Sequence, residues 1–218
     1  DNCIRLKIIS LENFDFSLVK DVSYMFENCI ALSELKYESI VANSLTDMSH
    51  MFEKCEKLSN IDLSNFKIKQ VLDMSSMFQD CISLENINFN PFNTESVLDM
   101  SNMFYGCNKL TSLDLTSFRT SNLINFDMMF KNCETLTNIL MPNFNTSQIT
   151  NMDYLFEGCS SLKSINLDCF DTSKVKSMRS MFNKCQSLTS ISLRSFNTQN
   201  VKDISNMFDY CLSLIEVD

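Results

Sequence analysis

A chain of 218 residues, 44% of them hydrophobic, can build a long core, and its two glycines and two prolines leave no flexible linker. A formal net charge of −9, with 18 basic residues scattered along the chain, argues against nucleic acid as a partner, because phosphate contacts need clustered Lys and Arg. No stretch approaches the ~20 consecutive apolar residues of a membrane-spanning helix, so this segment is not expected to insert into a bilayer.

The chain opens on a partial unit, residues 1–18, and then repeats with a period of 26, in units that start near residues 19, 45, 71, 97, 123, 149, 175 and 201. Each unit carries Met-Phe-x-x-Cys, from Met25-Phe26-Cys29 to Met207-Phe208-Cys211, with Leu155-Phe156-Cys159 as the one variant. Nine of the ten cysteines share one column, and Cys169 stands outside it. In the unit from Val71, the stretch DMSSMFQDC (73–81) puts Met74, Met77, Phe78 and Cys81 on one helical stripe, with Asp73 or Ser75 where an N-cap would sit. A short helix is the expected element. Leu84 to Phe89 then alternates and predicts a strand, with Ile87 and Phe89 inward and Asn86 and Asn88 outward. Asn90, Pro91, Asn93 and Thr94 are turn residues that return the chain to the next valine.

One such unit buries too little apolar surface to offset the ordering of its 26 residues, so the units must stack. The expectation is an α/β repeat solenoid forming a single domain over residues 1–218. A parallel sheet of nine short strands would form one face and eight short helices the other. Neither end reads as a polar cap, which predicts a segment of a longer array whose open ends could associate end to end.

The run Leu84-x-x-Ile87-x-Phe89 resembles the strand segment of leucine-rich repeats, and Phe-x-x-Cys-x-x-Leu-x-x-Ile resembles the BspA-like type of that family. The match is closest to the 26-residue version found in surface lipoproteins of mycoplasmas and other microbes, and residues 196–214 follow that pattern almost throughout. One departure stands out: the asparagine that follows the strand in ordinary leucine-rich repeats is replaced by Phe66, Phe92, Phe118, Phe144, Phe170 and Phe196, so a phenylalanine spine is expected in place of an asparagine ladder. The resemblance implies a leucine-rich-repeat-like solenoid at the cell surface, acting in adhesion or as an antigenic module.

A Met/Cys cluster could bind a soft metal such as copper. Here the cysteines come one per unit on an apolar stripe, with no C-x-x-C pair, and the methionine column of Met74 also accepts Val22, Phe126 and Ile204. Packing is the expected role, with no metal and no cofactor. His50, the only histidine, shares a column with Tyr24, Ser76, Asn102 and Tyr154 that is expected to face solvent. No Ser/His/Asp or P-loop arrangement appears, so no catalytic residue is assigned. What remains is surface. The outward strand columns place Lys36, Asp62, Asn86, Asn88, Ser112, Asp114, Asn138, Asn166 and Ser192 on one polar strip, the candidate binding face for a protein or glycan partner. Tyr24, Tyr105, Tyr154 and Tyr210 offer an alternative patch on the opposite side. An intracellular protein-interaction scaffold is the second reading, because free thiols suit a reducing compartment.

Overall fold

The computed structural model describes residues 2–218; Asp1, the first residue of the partial unit, lies outside them. The chain is a solenoid of stacked 26-residue turns, and among the described residues no segment is helical. The expected helical face is replaced by a ribbon of consecutive turns. In the unit from Val71, the N–H groups of Met77, Gln79, Cys81 and Leu84 donate back three residues, to the carbonyls of Met74, Ser76, Phe78 and Cys81. The alternate N–H groups, those of Met74, Ser76, Phe78 and Asp80, leave the unit and donate to the carbonyls of Asp99, Ser101, Met103 and Tyr105 at 2.7–3.0 Å.

An α-helix would satisfy those donors internally and would need a layer ~10 Å thick, whereas parallel strands stack at ~4.8 Å. The ribbon shares its donors with the neighbour, and so both faces can stack at a similar step. The ring stack from Phe26 to Phe208 records that step, with successive centroids 5.4–6.0 Å apart. Two residues per unit take left-handed backbone to turn the ribbon, Ser76 (φ 55°) and Asp80 (φ 56°) in this unit. Both glycines of the chain, Gly106 and Gly158, occupy the second position, where a Cβ would run into Asp80 Oδ1 and Asn132 Oδ1. Asp73 does cap the segment: its Oδ1 accepts the Ser75 N–H at 2.8 Å, opening the ribbon by an Asx turn.

The strand column is real but not one sheet. Strands β1 (Ile8–Ser10) and β2 (Glu34–Lys36) pair in parallel, and ten strands are assigned among the described residues: β3 (Ile40–Ala42), β4 (Asn60–Asp62), β5 (Phe66–Ile68), β6 (Asn86–Asn88), β7 (Ser112–Asp114), β8 (Asn138–Leu140), β9 (Ser190–Ile191) and β10 (Glu216–Val217) complete the set. The ladders are β1–β2, β4–β6, β7–β8 and β9–β10 on the strand face, and β3–β5 on the return edge. Residues 163–168, around Ile165, lie outside any strand. The expected nine-stranded sheet is thus broken into two-stranded ladders. The physical reason is that each strand is only two or three residues long, while the ribbon already ties each layer to the next with three or four backbone bonds.

The core follows the sequence pattern. Met74, Met77, Phe78, Cys81 and Leu84 are wholly buried, and of the expected spine Phe66, Phe92, Phe118, Phe144 and Phe170 are buried while Phe196 is half-buried. Two side-chain ladders join the layers as well. Buried Thr94, Thr120, Thr146 and Thr172 each donate from Oγ1 to a carbonyl 25 residues on, at 2.9–3.1 Å. Thr94, Thr120 and Thr172 also accept the N–H of that same residue. The cysteines form the second ladder: from Cys55 to Cys211, each thiol on the column donates to the phenylalanine carbonyl of the preceding unit at 3.0–3.3 Å, as Cys81 does to Phe52. Burial pushes the Cys133 thiol up to about 12 and Cys81 and Cys107 well above their ordinary value, so these sulfurs stay protonated and keep their donor role.

Candidate functional site

Lys36, Asp62, Asn86, Asn88, Ser112, Asp114, Asn138, Asn166 and Ser192 are all exposed, in a strip where each step of 26 residues places the next unit's side chains beside the last. The inward residues between them, Ile61, Leu113, Ile139 and Ile191, are buried and anchor each strand to the core. Asn86 Nδ2 donates to Asn60 Oδ1 at 2.8 Å, which links two outward amides across a ladder. Asp62, Asn88, Asp114 and Asn166 carry a second duty: each Oδ1 accepts the N–H two residues on, at 2.8–3.0 Å, and so closes the Asx turn that leaves the strand. Reading the sequence as a row of solvated side chains missed that duty. The signal was present in the recurrence of Asp or Asn two residues before a turn.

The opposite face is less free at Tyr24 and Tyr154 than the tyrosine patch suggested. Tyr24 stacks on His50 at 4.4 Å, and His50 Nδ1 lies 2.5 Å from Glu53 Oε2. Lys54 Nζ holds the other oxygen of Glu53 at 2.6 Å, and these partners leave the Glu53 carboxyl below its ordinary value despite its burial. His50 therefore does not point freely into solvent; it is half-buried and engaged. Tyr154 is flanked by Lys131 Nζ, 4.6 Å from its ring, and by Arg179 at 5.8 Å. Among the described residues no group of three or more His, Cys, Asp or Glu is placed to hold a metal ion.

One seam departs from the regular stack. Asn125-x-Asp127 and Asn151-x-Asp153 replace the Asp-x-Ser of five other units, as Ser177-x-Arg179 also does, Phe126 fills the column of Met74, and the bridge that would join residue 125 to 151 is missing. Asp127 Oδ2 accepts from Asn151 Nδ2 at 2.6 Å, while its Oδ1 is buried without a partner. Burial first, with Asp153 and Asp99 adding repulsion, pushes the Asp127 carboxyl up to about 7 against the bond from Asn151. The folded chain then binds this proton more tightly than the unfolded chain, whose value is near 3.8. The stabilisation is complete below pH ~3.8 and is lost as pH rises through about 7. Asp127→Asn is expected to raise the melting temperature at pH 8 and to change it little at pH 4. Scanning calorimetry at both values tests this, and an equal shift at the two pH values would contradict the buried carboxyl.

The family profile described as "Mycoplasma protein of unknown function, DUF285" matches residues 1–112, 46–141 and 135–216. No curated protein matches the chain. Among solved structures, a leucine rich cell surface protein from Faecalibacterium prausnitzii A2-165 aligns with all of this chain and 74% of its own, at 19% identity and a TM-score of 0.43. A leucine-rich repeat protein from Bacteroides ovatus ATCC 8483 aligns with all of this chain and 61% of its own, at 22% identity and a TM-score of 0.46.

Proposed function

The chain belongs to the Mycoplasma DUF285 family, and we propose for it the role of a non-enzymatic interaction module, one solenoid domain displayed at the cell surface with its polar strand face turned to a protein or glycan partner. The observation that carries this reading is the row of exposed polar side chains from Lys36 to Ser192, interrupted by exposed Leu140 and backed by the buried inward residues Ile61, Leu113, Ile139 and Ile191. Short polar groups without large aromatic anchors suit a contact built from many weak repeats. An intracellular scaffold is the second reading, and all ten cysteines being free is what favours it. Seven of the ten are buried, which lets the thiols persist in either compartment.

The test is charge reversal on the strip. Asp62→Lys with Asp114→Lys is expected to weaken binding of the labelled protein to intact epithelial cells roughly tenfold, about 1.4 kcal/mol. Asp62→Asn with Asp114→Asn keeps the turn acceptors for Ser64 and Thr116 and separates charge from backbone support. Binding that survives the lysine pair but disappears in Tyr24→Ala with Tyr210→Ala would move the site to the opposite face.

A further inference from the structure

The column along the return edge reads Val41, Lys67, Asn93, Arg119, Asn145, Asp171 and Asn197, one residue per unit. Its two cations stand two units apart, about 10 Å at ~4.8 Å per step. Between them lies a cleft of about 600 Å³ that spans three units, and none of the residues lining it is acidic. In a chain with a net charge of −9 that is a local reversal of sign. The cleft has a structural origin: β5 pairs with β3 on one side only, and no strand of the next unit closes its other edge.

Both cations are available. Among the described residues neither Lys67 nor Arg119 enters an ion pair. Arg119 Nη1 donates to the carbonyls of Thr116 at 3.1 Å and Phe118 at 3.0 Å, which fixes the guanidinium at the cleft, while among the described residues its remaining nitrogens have no acceptor. The nearby carboxylates, Asp62 and Asp114, are committed through Oδ1 to the N–H groups of Ser64 and Thr116 and belong to the adjoining strand face. Hydroxyls of Ser64 and Thr116 and the amide of Asn93 line the space between the charges, beside the apolar ring of Pro91.

We propose that this cleft binds an acidic oligosaccharide, with one carboxylate at Lys67, a second at Arg119, and the intervening sugar hydroxyls on Ser64, Asn93 and Thr116. A chain with a carboxylate on alternate sugars spaces its charges at close to two repeat steps, and its hydroxyls match the short donors and acceptors between them. The site is separate from the strand-face reading and does not depend on it.

Isothermal titration with a hyaluronan hexasaccharide, which carries a carboxylate on alternate sugars, tests the assignment against neutral chitohexaose and a hexaglutamate peptide. Binding is expected for the hyaluronan hexasaccharide alone. It should weaken at least tenfold in Lys67→Ala and in Arg119→Ala, be retained in Lys67→Arg, and fall with added salt. Lys67→Glu, at an exposed position, gives a further loss without touching the Arg119 contacts. Asp62→Asn with Asp114→Asn, which keeps the turn acceptors for Ser64 and Thr116, should leave this binding intact. Equal binding of chitohexaose, failure to bind either sugar at millimolar concentration, or indifference to both cation variants would overturn the proposal. Equally tight binding of hexaglutamate through the same two cations would overturn the saccharide assignment in favour of an acidic peptide.

Discussion

Phe104→Ala is expected to lower stability by roughly 3–5 kcal/mol, the range for a large buried aromatic cut back to a methyl. Phe104 is wholly buried, stacks on Phe78 at 5.9 Å and Phe130 at 6.0 Å, and meets the edge of Phe89 at 6.1 Å. Removing its ring interrupts the stack in the middle, and each lost aromatic pair adds about 0.5–1.5 kcal/mol to the area term, which favours the upper end. The backbone bonds of the position do not depend on the ring: the Phe104 carbonyl still accepts from the Cys107 N–H and the Cys133 thiol, both at 3.1 Å. The damage should therefore spread through packing and be local, because each unit contacts only its neighbours. Amide hydrogen exchange should show units 71–96 and 123–148 losing protection before units 19–44 and 175–200. A uniform loss along the chain would mean that the array unfolds as one body and that this nearest-neighbour account is wrong.

Thr120→Val is expected to cost roughly 2–4 kcal/mol with almost no change of shape. Thr120 is buried, donates to the Asn145 carbonyl at 3.1 Å and accepts the Asn145 N–H at 2.7 Å. Valine fills the same space but leaves both groups of Asn145 without their partner, at about 1–3 kcal/mol each. Thr120→Ser keeps the hydroxyl and should recover most of the loss, which separates the hydrogen bonds from the methyl packing. Urea unfolding of the three proteins measures this. A valine variant within 0.5 kcal/mol of the parent would show that the threonine ladder contributes little to holding the layers together.

These two residues show how unevenly the site and the fold could be read. Phe104 was visible as core because Met-Phe-x-x-Cys recurs every 26 residues on an apolar stripe. Thr94, one unit before Thr120 in the same column, reads in the sequence as a turn residue, since a buried hydroxyl looks there like an exposed one. The candidate strip fell between. Alternation about Ile87 placed Asn86 and Asn88 outward, and the structure has them exposed, but the backbone duty of Asn88 needed coordinates. The cleft at Lys67 and Arg119 left no mark in the column beyond two basic residues.

By itself the amino-acid sequence determined the period, the stacking of units and the set of side chains that face inward. Those follow from burial alone, and burial is written in the spacing of apolar residues. It did not determine whether the stripe at 74, 77, 78 and 81 becomes a helix, because a turn ribbon buries the same positions. A stripe of eight residues is too short to hold a helix on its own, so the destination of its N–H groups is decided by what lies beside it. Only the stacked neighbour supplies the carbonyls of Asp99, Ser101, Met103 and Tyr105 that draw out the alternate donors. The same holds for the thiols, whose acceptors lie 29 residues away, and for the return-edge cleft, which exists because β5 finds a partner on one side and none on the other.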